Sequence, residues 1–413
     1  MIKERHILQS LTNHLDKKEY SLLIGARQVG KTTLIQKMFT DLRNSTENVH
    51  FISLEDLNIL RDLNQDFENL FRYATRPANP LLNPEPKRVI VFIDEIQYLE
   101  KPSHFLKYMF DTYQQNLKIV ATGSSAFYID SKFKDSLAGR KRIFHLRSLN
   151  FSEFLLFKEA DLLRQELVKI RQATEYVSRF YNDLLHYFHE YLTFGGYPRV
   201  VLENDENEKK LYLDELVTSF LKKDIYESRI EQEQKFYHLC TLLAAQIGSL
   251  VNKNELANTL FLNLRTIDKY LYVLQKCFYI DLLPPFYKNI RKEITRMPKI
   301  YFHDFGIRNK LLNRFYDLPV REDKGNLLEN YVYIRLLELY DKGQIKFWRT
   351  ADKNEVDFVV SESFSQGFAY EVKSSDSSFK PVSFQKFTNA YPEYPLKCVA
   401  YEVKSTGIPI LKF

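Results

Sequence analysis

The chain has 413 residues, 45% hydrophobic and 15% aromatic, which is enough apolar side chain for two or three cores and too much length for one small domain. Lys+Arg 59 against Asp+Glu 53 gives a formal net charge of +6 and a pI near 8.8, a mild basic excess that fits a nucleic-acid partner without requiring one. Cys240, Cys277 and Cys398 lie far apart with no CxxC pair, which argues against a disulfide framework or a structural zinc site and for a reducing, cytoplasmic setting; the start, MIKERHILQSL, is charged and amphipathic, and no apolar run nears the roughly 20 residues a membrane span needs, so no membrane partner is expected.

Residues 1–150 alternate apolar runs with helical stretches: SLLI (21–24), VHFISL (49–54), RVIVFID (88–94) and KIVATG (118–123). That alternation predicts an α/β fold with an open, mostly parallel sheet covered on both faces. Directly after the first run stands Gly25-Ala26-Arg27-Gln28-Val29-Gly30-Lys31-Thr32, followed by Thr33 and a helical stretch. This is a complete GxxxxGK[ST] phosphate loop in strand-to-helix context. Its amides would surround a β-phosphate, Lys31 would neutralise the β and γ oxygens, and the Thr32 hydroxyl would sit on Mg²⁺, so ATP and Mg²⁺ are the expected cofactors.

The run VIVFIDEIQYL supplies the acidic half of such a site. Asp94 would hold Mg²⁺ through water, and Glu95 would orient and polarise the attacking water. KIVATGSS brings Thr122, Ser124 and Ser125 to the same sheet edge as hydroxyls able to sense a γ-phosphate. Arg140, in SLAGRKRIF, is a candidate for stabilising transition-state charge, within its own subunit or across to a neighbour; a solvated arginine is the alternative.

Residues 151–245 read as a long, charged helical segment, a lid or linker, broken by the turn FGGYPRVV (194–201). In 246–320, NKNELANTLFLNLRTIDKYLYVLQK offers an Asn252-to-Glu255 capping box, a tight turn and a second helix with Ile267, Tyr270, Leu271 and Leu274 on one face. This is a helix-turn-helix rhythm. Arg265, Lys269 and Lys276 on or near the second helix, with YKNIRKEITRMPK (287–299) as a basic wing, suggest a winged-helix module on DNA; a lid or dimer surface with solvated charges is the alternative. His186 and His189 share a helix but lack an evident third ligand.

The last part, 321–413, returns to α/β: a helix over 325–341, strands near 345–349, 355–360 and 368–373, a helix near 381–391 and a strand near 396–403. Glu355 and Asp357 alternate onto one face of the first hairpin strand, and Glu371 and Lys373 onto one face of the second. Burying such a set without a cation is costly, so the face is either solvated or binds metal. A second EVK, Glu402-Val403-Lys404, has no partnered aspartate hairpin before it and reads as a decoy.

GARQVGKTTL, FIDEIQYL, ATGSSA, LAGR followed by LNFSEFL, FGGYP and KIYFHDFGIRN, in that order, resemble the bacterial and archaeal AAA-type P-loop ATPases that carry a C-terminal domain of uncharacterised function. Where similar sequences often have a proline before the aromatic-Ser-Glu unit, this chain has HLRSLNFSEF, a departure confined to a connector. The acidic strand end and the following ExK triplet resemble the PD-(D/E)XK nucleases. That resemblance implies Asp357, Glu371 and the Val372 carbonyl as Mg²⁺ ligands, Glu329 on the preceding helix as the residue completing the site, and Lys373 as the group positioning the attacking water. The expected architecture is therefore an AAA-type ATPase core (1–150), a helical lid (151–245), a winged-helix-like domain (246–320) and a PD-(D/E)XK-like domain (321–413). The expected function is ATP hydrolysis coupled to DNA binding and a Mg²⁺-dependent nuclease-like domain. The alternative is a non-cleaving regulatory ATPase whose C-terminal domains bind DNA or a protein partner, with a homo-oligomer open in either case.

Overall fold

The computed structural model describes residues 3–44, 48–78, 88–123, 137–173, 175–287, 290–363 and 366–413. They divide into two compact units, Met1–Ser148 with Lys276–Phe278, and Leu149–Gln275 with Tyr279–Phe413.

The first unit is built on a five-stranded sheet: β1 (Tyr20–Ile24), β2 (Val49–Ser53), β3 (Val89–Asp94), β4 (Leu117–Gly123) and β5 (Lys141–His145). All neighbours are parallel, in the order β2-β3-β4-β1-β5. Every residue of β1 and β4 is buried, as expected of central strands covered on both faces. The apolar runs of the sequence mark β1 to β4; β5 carries no such run, because it is an edge strand with Arg142, Ile143 and His145 exposed. Helix α1 (Lys31–Arg43) begins at the phosphate loop, and Pro102–Tyr113, with proline in its first turn, buries Phe105, Leu106 and Met109 in the core on β1, β3 and β4. One consequence of the strand order decides the site. β4 lies between β1 and β3, with Leu23 opposite Thr122, so the end of β4 separates the phosphate loop from the acidic end of β3.

The second unit begins with helices. In α2 (Tyr181–Phe194) the chain ends in Gly195, whose φ is +77 and whose added Cβ would lie 2.3 Å from Asp304 Oδ1. Asp304 caps a later helix through the Ile307 amide (3.1 Å) and accepts from the Gly196 amide (2.8 Å), while Asn309 Nδ2 donates to the carbonyls of Leu192 and Thr193, each at 2.9 Å. FGGYP and HDFGIRN, separate motifs in the sequence, are thus two halves of one buried joint.

The helix-turn-helix stretch follows: α3 (Glu233–Ala245), α4 (Lys253–Leu260) and α5 (Leu264–Lys276). Asn252 accepts from the Glu255 amide (3.3 Å), Phe261 at φ 50 ends α4, and Asn263 accepts from the Thr266 amide (2.8 Å). Ile267, Tyr270, Leu271 and Leu274 are buried along one side of α5. Strands β6 (Ile280–Leu283) and β7 (Lys299–Phe302) pair antiparallel, and Leu250 bridges to Lys299 on the other side of β7. Next come α6 (Phe305–Leu312) and α7 (Lys324–Leu339), which packs on the last sheet. That sheet runs β12 (Ile408–Pro409), β11 (Leu396–Glu402), β10 (Gln366–Ser375), β9 (Glu355–Ser363) and β8 (Ile345–Arg349), antiparallel through β8-β9-β10 and parallel from β10 to β12. The helix expected near 381–391 is a short 3-10 turn, Pro381–Phe384, followed by Gln385–Ala390.

Candidate nucleotide site and carboxylate cluster

β1 ends at Ile24 and the chain turns at once into the loop Gly25–Gly30. Gly25 cannot carry a side chain, since its Cβ would meet the Leu146 carbonyl oxygen at 2.0 Å; Gln28 (φ 55) and Gly30 (φ 97) take the left-handed conformation that curls the loop into α1. Lys31, 4% exposed, donates to the carbonyls of Gly25 (3.0 Å) and Ala26 (2.7 Å), which holds its ammonium inside the loop. Val29 is fully buried, Arg27 half-buried, and Gln28 and Thr33 exposed. Arg5, from the segment before the first helix, donates to the carbonyls of Val29 (2.9 Å) and Arg147 (2.8 Å) and braces the loop from behind; nothing in its sequence context announces that role.

Thr32 Oγ1 donates to Asp94 Oδ2 at 2.8 Å. Thr122 Oγ1 donates to the other oxygen of the same carboxylate and accepts from the Glu95 amide at 3.0 Å. Asp94 is 3% exposed, so its oxygens are hydrogen-bonded by these hydroxyls rather than by bulk water. Glu95 is half-buried at φ 56, ψ 50, and its carboxylate accepts from Gln97 Nε2. The residues present suit a Mg²⁺–nucleotide: an amide-lined loop at a helix N-terminus, an ammonium, a hydroxyl and a carboxylate in contact, and a second carboxylate one residue on. Ser124 and Ser125 lie outside the described residues; of the three expected hydroxyls, Thr122 is the one the structure places.

Arg140 requires a correction. Its carbonyl accepts from the Tyr20 amide (2.9 Å), at the start of β1, whereas the phosphate loop leaves the opposite end of that strand. Five residues of extended chain put roughly 16 Å between them. Arg140 instead pairs with Asp111, Nε to Oδ1 at 2.7 Å. A role on its own subunit's phosphates is therefore not compatible with this geometry, because parallel pairing of β5 with β1 sets residue 140 at the wrong end; a role across to a neighbouring subunit and a plain surface ion pair with Asp111 are the two readings left.

The C-terminal acids do converge. Asp357 and Glu371 are 8% and 6% exposed on paired strands, and Glu329 reaches them from α7. At their centre, however, stands Lys299 of β7, 1% exposed, with Nζ 2.9 Å from Glu329, 2.6 Å from Glu355 and 3.2 Å from Asp357. Tyr301 donates to Glu329 at 2.6 Å, the Val372 amide to Asp357 Oδ2 at 3.0 Å, Lys373 to Glu371 at 2.5 Å, and Arg349 to Glu355. Four carboxylates (Glu329, Glu355, Asp357, Glu371) thus face three cations (Lys299, Arg349, Lys373). Burial and then the adjacent Asp357 charge push both Glu371 and Glu329 above the usual carboxylate range.

The residues expected to hold Mg²⁺, Glu329, Asp357, Glu371 and Val372, are brought together. The residues meet, but around an ammonium. Among the described residues no group of three or more His, Cys, Asp or Glu is arranged to hold a metal ion. Lys299, expected as the last residue of the basic wing 287–299, is instead buried among these acids, because its strand KIYF turns the lysine inward. The decoy triplet is mostly exposed, and the amides of Lys404, Ser405 and Gly407 cap Asp376.

On the helix-turn-helix, Arg265 is exposed, Lys269 donates to the Arg229 carbonyl (2.9 Å), Asp268 pairs with Lys253 (2.6 Å) and Lys276 is half-buried. Phe261, 86% exposed, and Leu264 add an apolar edge. His189 hydrogen-bonds Tyr401 OH (2.7 Å). No helix among the described residues is long and apolar enough to cross a membrane.

Three family matches divide the chain: residues 17–155 match the family described as AAA domain, 185–317 a domain of unknown function (DUF8612), and 324–406 a domain of unknown function (DUF4143). The chain is 27% identical over 389 residues to the uncharacterized protein MJ1637 of Methanocaldococcus jannaschii, covering 89% of this chain and 78% of that protein. An uncharacterized protein of Haemophilus influenzae is 26% identical over 377 residues, covering 87% and 84%. Among solved structures, the ORC2 protein of Aeropyrum pernix in ADPNP-ADP complexes overlaps at a TM-score of 0.37 and 12% identity, over 74% of this chain and 91% of that one. Residues 17–155 match the AAA-domain family, and the loop, strand order and acid pair described above agree with that match.

Proposed function

We propose that this chain is an ATP-hydrolysing switch that engages DNA through its helix-turn-helix segment. The observation that carries the first half is the chain of contacts from Thr32 through Asp94 and Thr122 to the Glu95 amide, next to a lysine held inside a phosphate loop. In this reading the loop amides and Lys31 bind the triphosphate. Thr32 and Asp94 hold Mg²⁺, which would supply positive charge to the phosphoryl oxygens. Glu95 takes the proton of the attacking water, and Gln97 holds its carboxylate by a hydrogen bond.

The DNA half rests on topology: helix α3, the bridge at Leu250, helices α4 and α5, then the β6–β7 hairpin, which is the order of a winged helix, with Arg265 exposed on α5 and Arg291 and Arg296 exposed in the connection between the strands. Supporting a non-cleaving chain over a nuclease, Lys299 stands where the PD-(D/E)XK reading requires a divalent ion. Phosphate release from ATP by wild type and by Lys31→Ala, with and without duplex DNA, tests this function. Turnover lost in Lys31→Ala and a DNA complex seen by fluorescence anisotropy are expected. Equal phosphate release from both proteins would defeat the ATPase assignment, and no salt-dependent DNA binding would defeat the DNA assignment.

A further inference from the structure

We infer that Lys299 is a built-in counter-ion that closes the C-terminal carboxylate cluster to divalent cations. The inference does not rest on the ATPase reading, because every residue it uses lies in the second unit.

An ammonium makes three contacts of 2.6 to 3.2 Å with Glu329, Glu355 and Asp357. Mg²⁺ would have to bring the same oxygens to roughly 2.0–2.1 Å. The two cations cannot share that space, so admission of a metal requires the lysine to leave. A surface lysine could swing its flexible stem into solvent. Lys299 has no such exit. It is 1% exposed, and its strand is held on both sides, by β6 and by the bridge to Leu250; next to it the Gly248 amide donates to the Ile300 carbonyl (2.8 Å) and the Ile300 amide to Ser249 (3.2 Å).

Three further carboxylate oxygens are also engaged. Asp357 Oδ2 accepts from the Val372 amide, Glu371 Oε1 from Lys373, and Glu355 Oε2 from Arg349. Gly248, whose Cβ would lie 3.1 Å from Glu329 Oε2, keeps the backbone close over the fourth side. Lys299 is borne by the β6–β7 hairpin and its anionic partners by α7 and β9, so the same ammonium ties the hairpin to the C-terminal sheet. Opening the cluster to a metal would mean lifting β7.

The test is Mn²⁺ uptake by the nucleotide-free full chain, read by electron paramagnetic resonance. All proteins carry Asp94→Asn so that the phosphate-loop ligands do not contribute. With Lys299 in place the free-Mn²⁺ signal should match buffer. Lys299→Met should take up one equivalent, and adding Asp357→Asn should remove it. Uptake of one equivalent by the Lys299 protein that disappears with Asp357→Asn would overturn the inference, as would the absence of uptake by a folded Lys299→Met. Should Lys299→Met fail to melt cooperatively, the Lys299 protein with and without Asp357→Asn decides alone, since equal and negligible uptake supports closure and Asp357-dependent uptake overturns it.

Discussion

Thr122 Oγ1 donates to the carboxylate of Asp94 while accepting from the amide of Glu95, so one hydroxyl from the neighbouring strand fixes the last side chain of β3 and the backbone of the acid that follows it. Thr122→Val keeps the shape and removes both bonds. A partner of this kind typically contributes about 10–100-fold. ATP turnover is expected to fall by about that factor while a fluorescent ATP analogue still binds; an unchanged rate would remove Thr122 from the site.

Lys31 and Glu95 serve different steps and should separate in kinetics. Lys31→Ala loses the charge that the loop carbonyls hold in place, so nucleotide binding itself should disappear. Glu95→Gln should bind nucleotide and lose turnover by about 10²–10⁴-fold, the usual contribution of a positioned base. Equilibrium binding and single-turnover hydrolysis on the two variants distinguish these outcomes, and a Glu95→Gln protein with full turnover would assign the base elsewhere.

The joint between FGGYP and HDFGIRN predicts a large cost at Gly195. An alanine there would hold a left-handed φ of +77 and press its Cβ to within 2.3 Å of the Asp304 carboxylate. Backbone strain of this kind costs about 1–3 kcal/mol before the contact is relieved. Gly195→Ala should lower the melting temperature clearly, whereas Gly343→Ala, with nothing near its added Cβ, should leave it almost unchanged. Equal melting of the two would remove the joint as a source of stability.

His14 carries a pH dependence of definite sign. Burial, then Lys118 and Arg142, hold its imidazole down to about 4, with Lys17 adding to them and Glu19 opposing. Its Nδ1 lies 2.8 Å from Ser21 Oγ and 3.2 Å from Lys118 Nζ. A depressed pKa contributes stability that is complete above the unfolded value of 6.5 and is lost as pH falls from there toward about 4. Melting temperatures should therefore drop more steeply between pH 6.5 and 5 for wild type than for His14→Gln. Parallel profiles would show that His14 does not titrate on unfolding.

For the DNA reading, Arg265→Ala should weaken binding to duplexes of any sequence and reduce the slope of log K against log salt by about 1. Substituting Lys269, already bound to the Arg229 carbonyl, should leave that slope unchanged. The reverse pattern would place the phosphates on a different face.

The sequence by itself determined what depends on local order: the period of apolar residues that becomes β1 to β4, the glycines and lysine of the loop, the paired acids at the end of β3, and the helix pair around Phe261. Each is set by neighbours within about one turn or one strand, which a linear pattern records. Tertiary structure decided what depends on pairing between distant segments. Placing β5 parallel beside β1 removed Arg140 from its own phosphate loop. Inserting β4 between β1 and β3 made Thr122 the clasp of Asp94. The largest difference lies in the C-terminal cluster, whose acids follow from strand alternation but whose cation does not. A buried charge must be met by an opposite one, and no spacing in the chain says whether that charge is a metal ion or, as here, the ammonium of Lys299 carried in by β7.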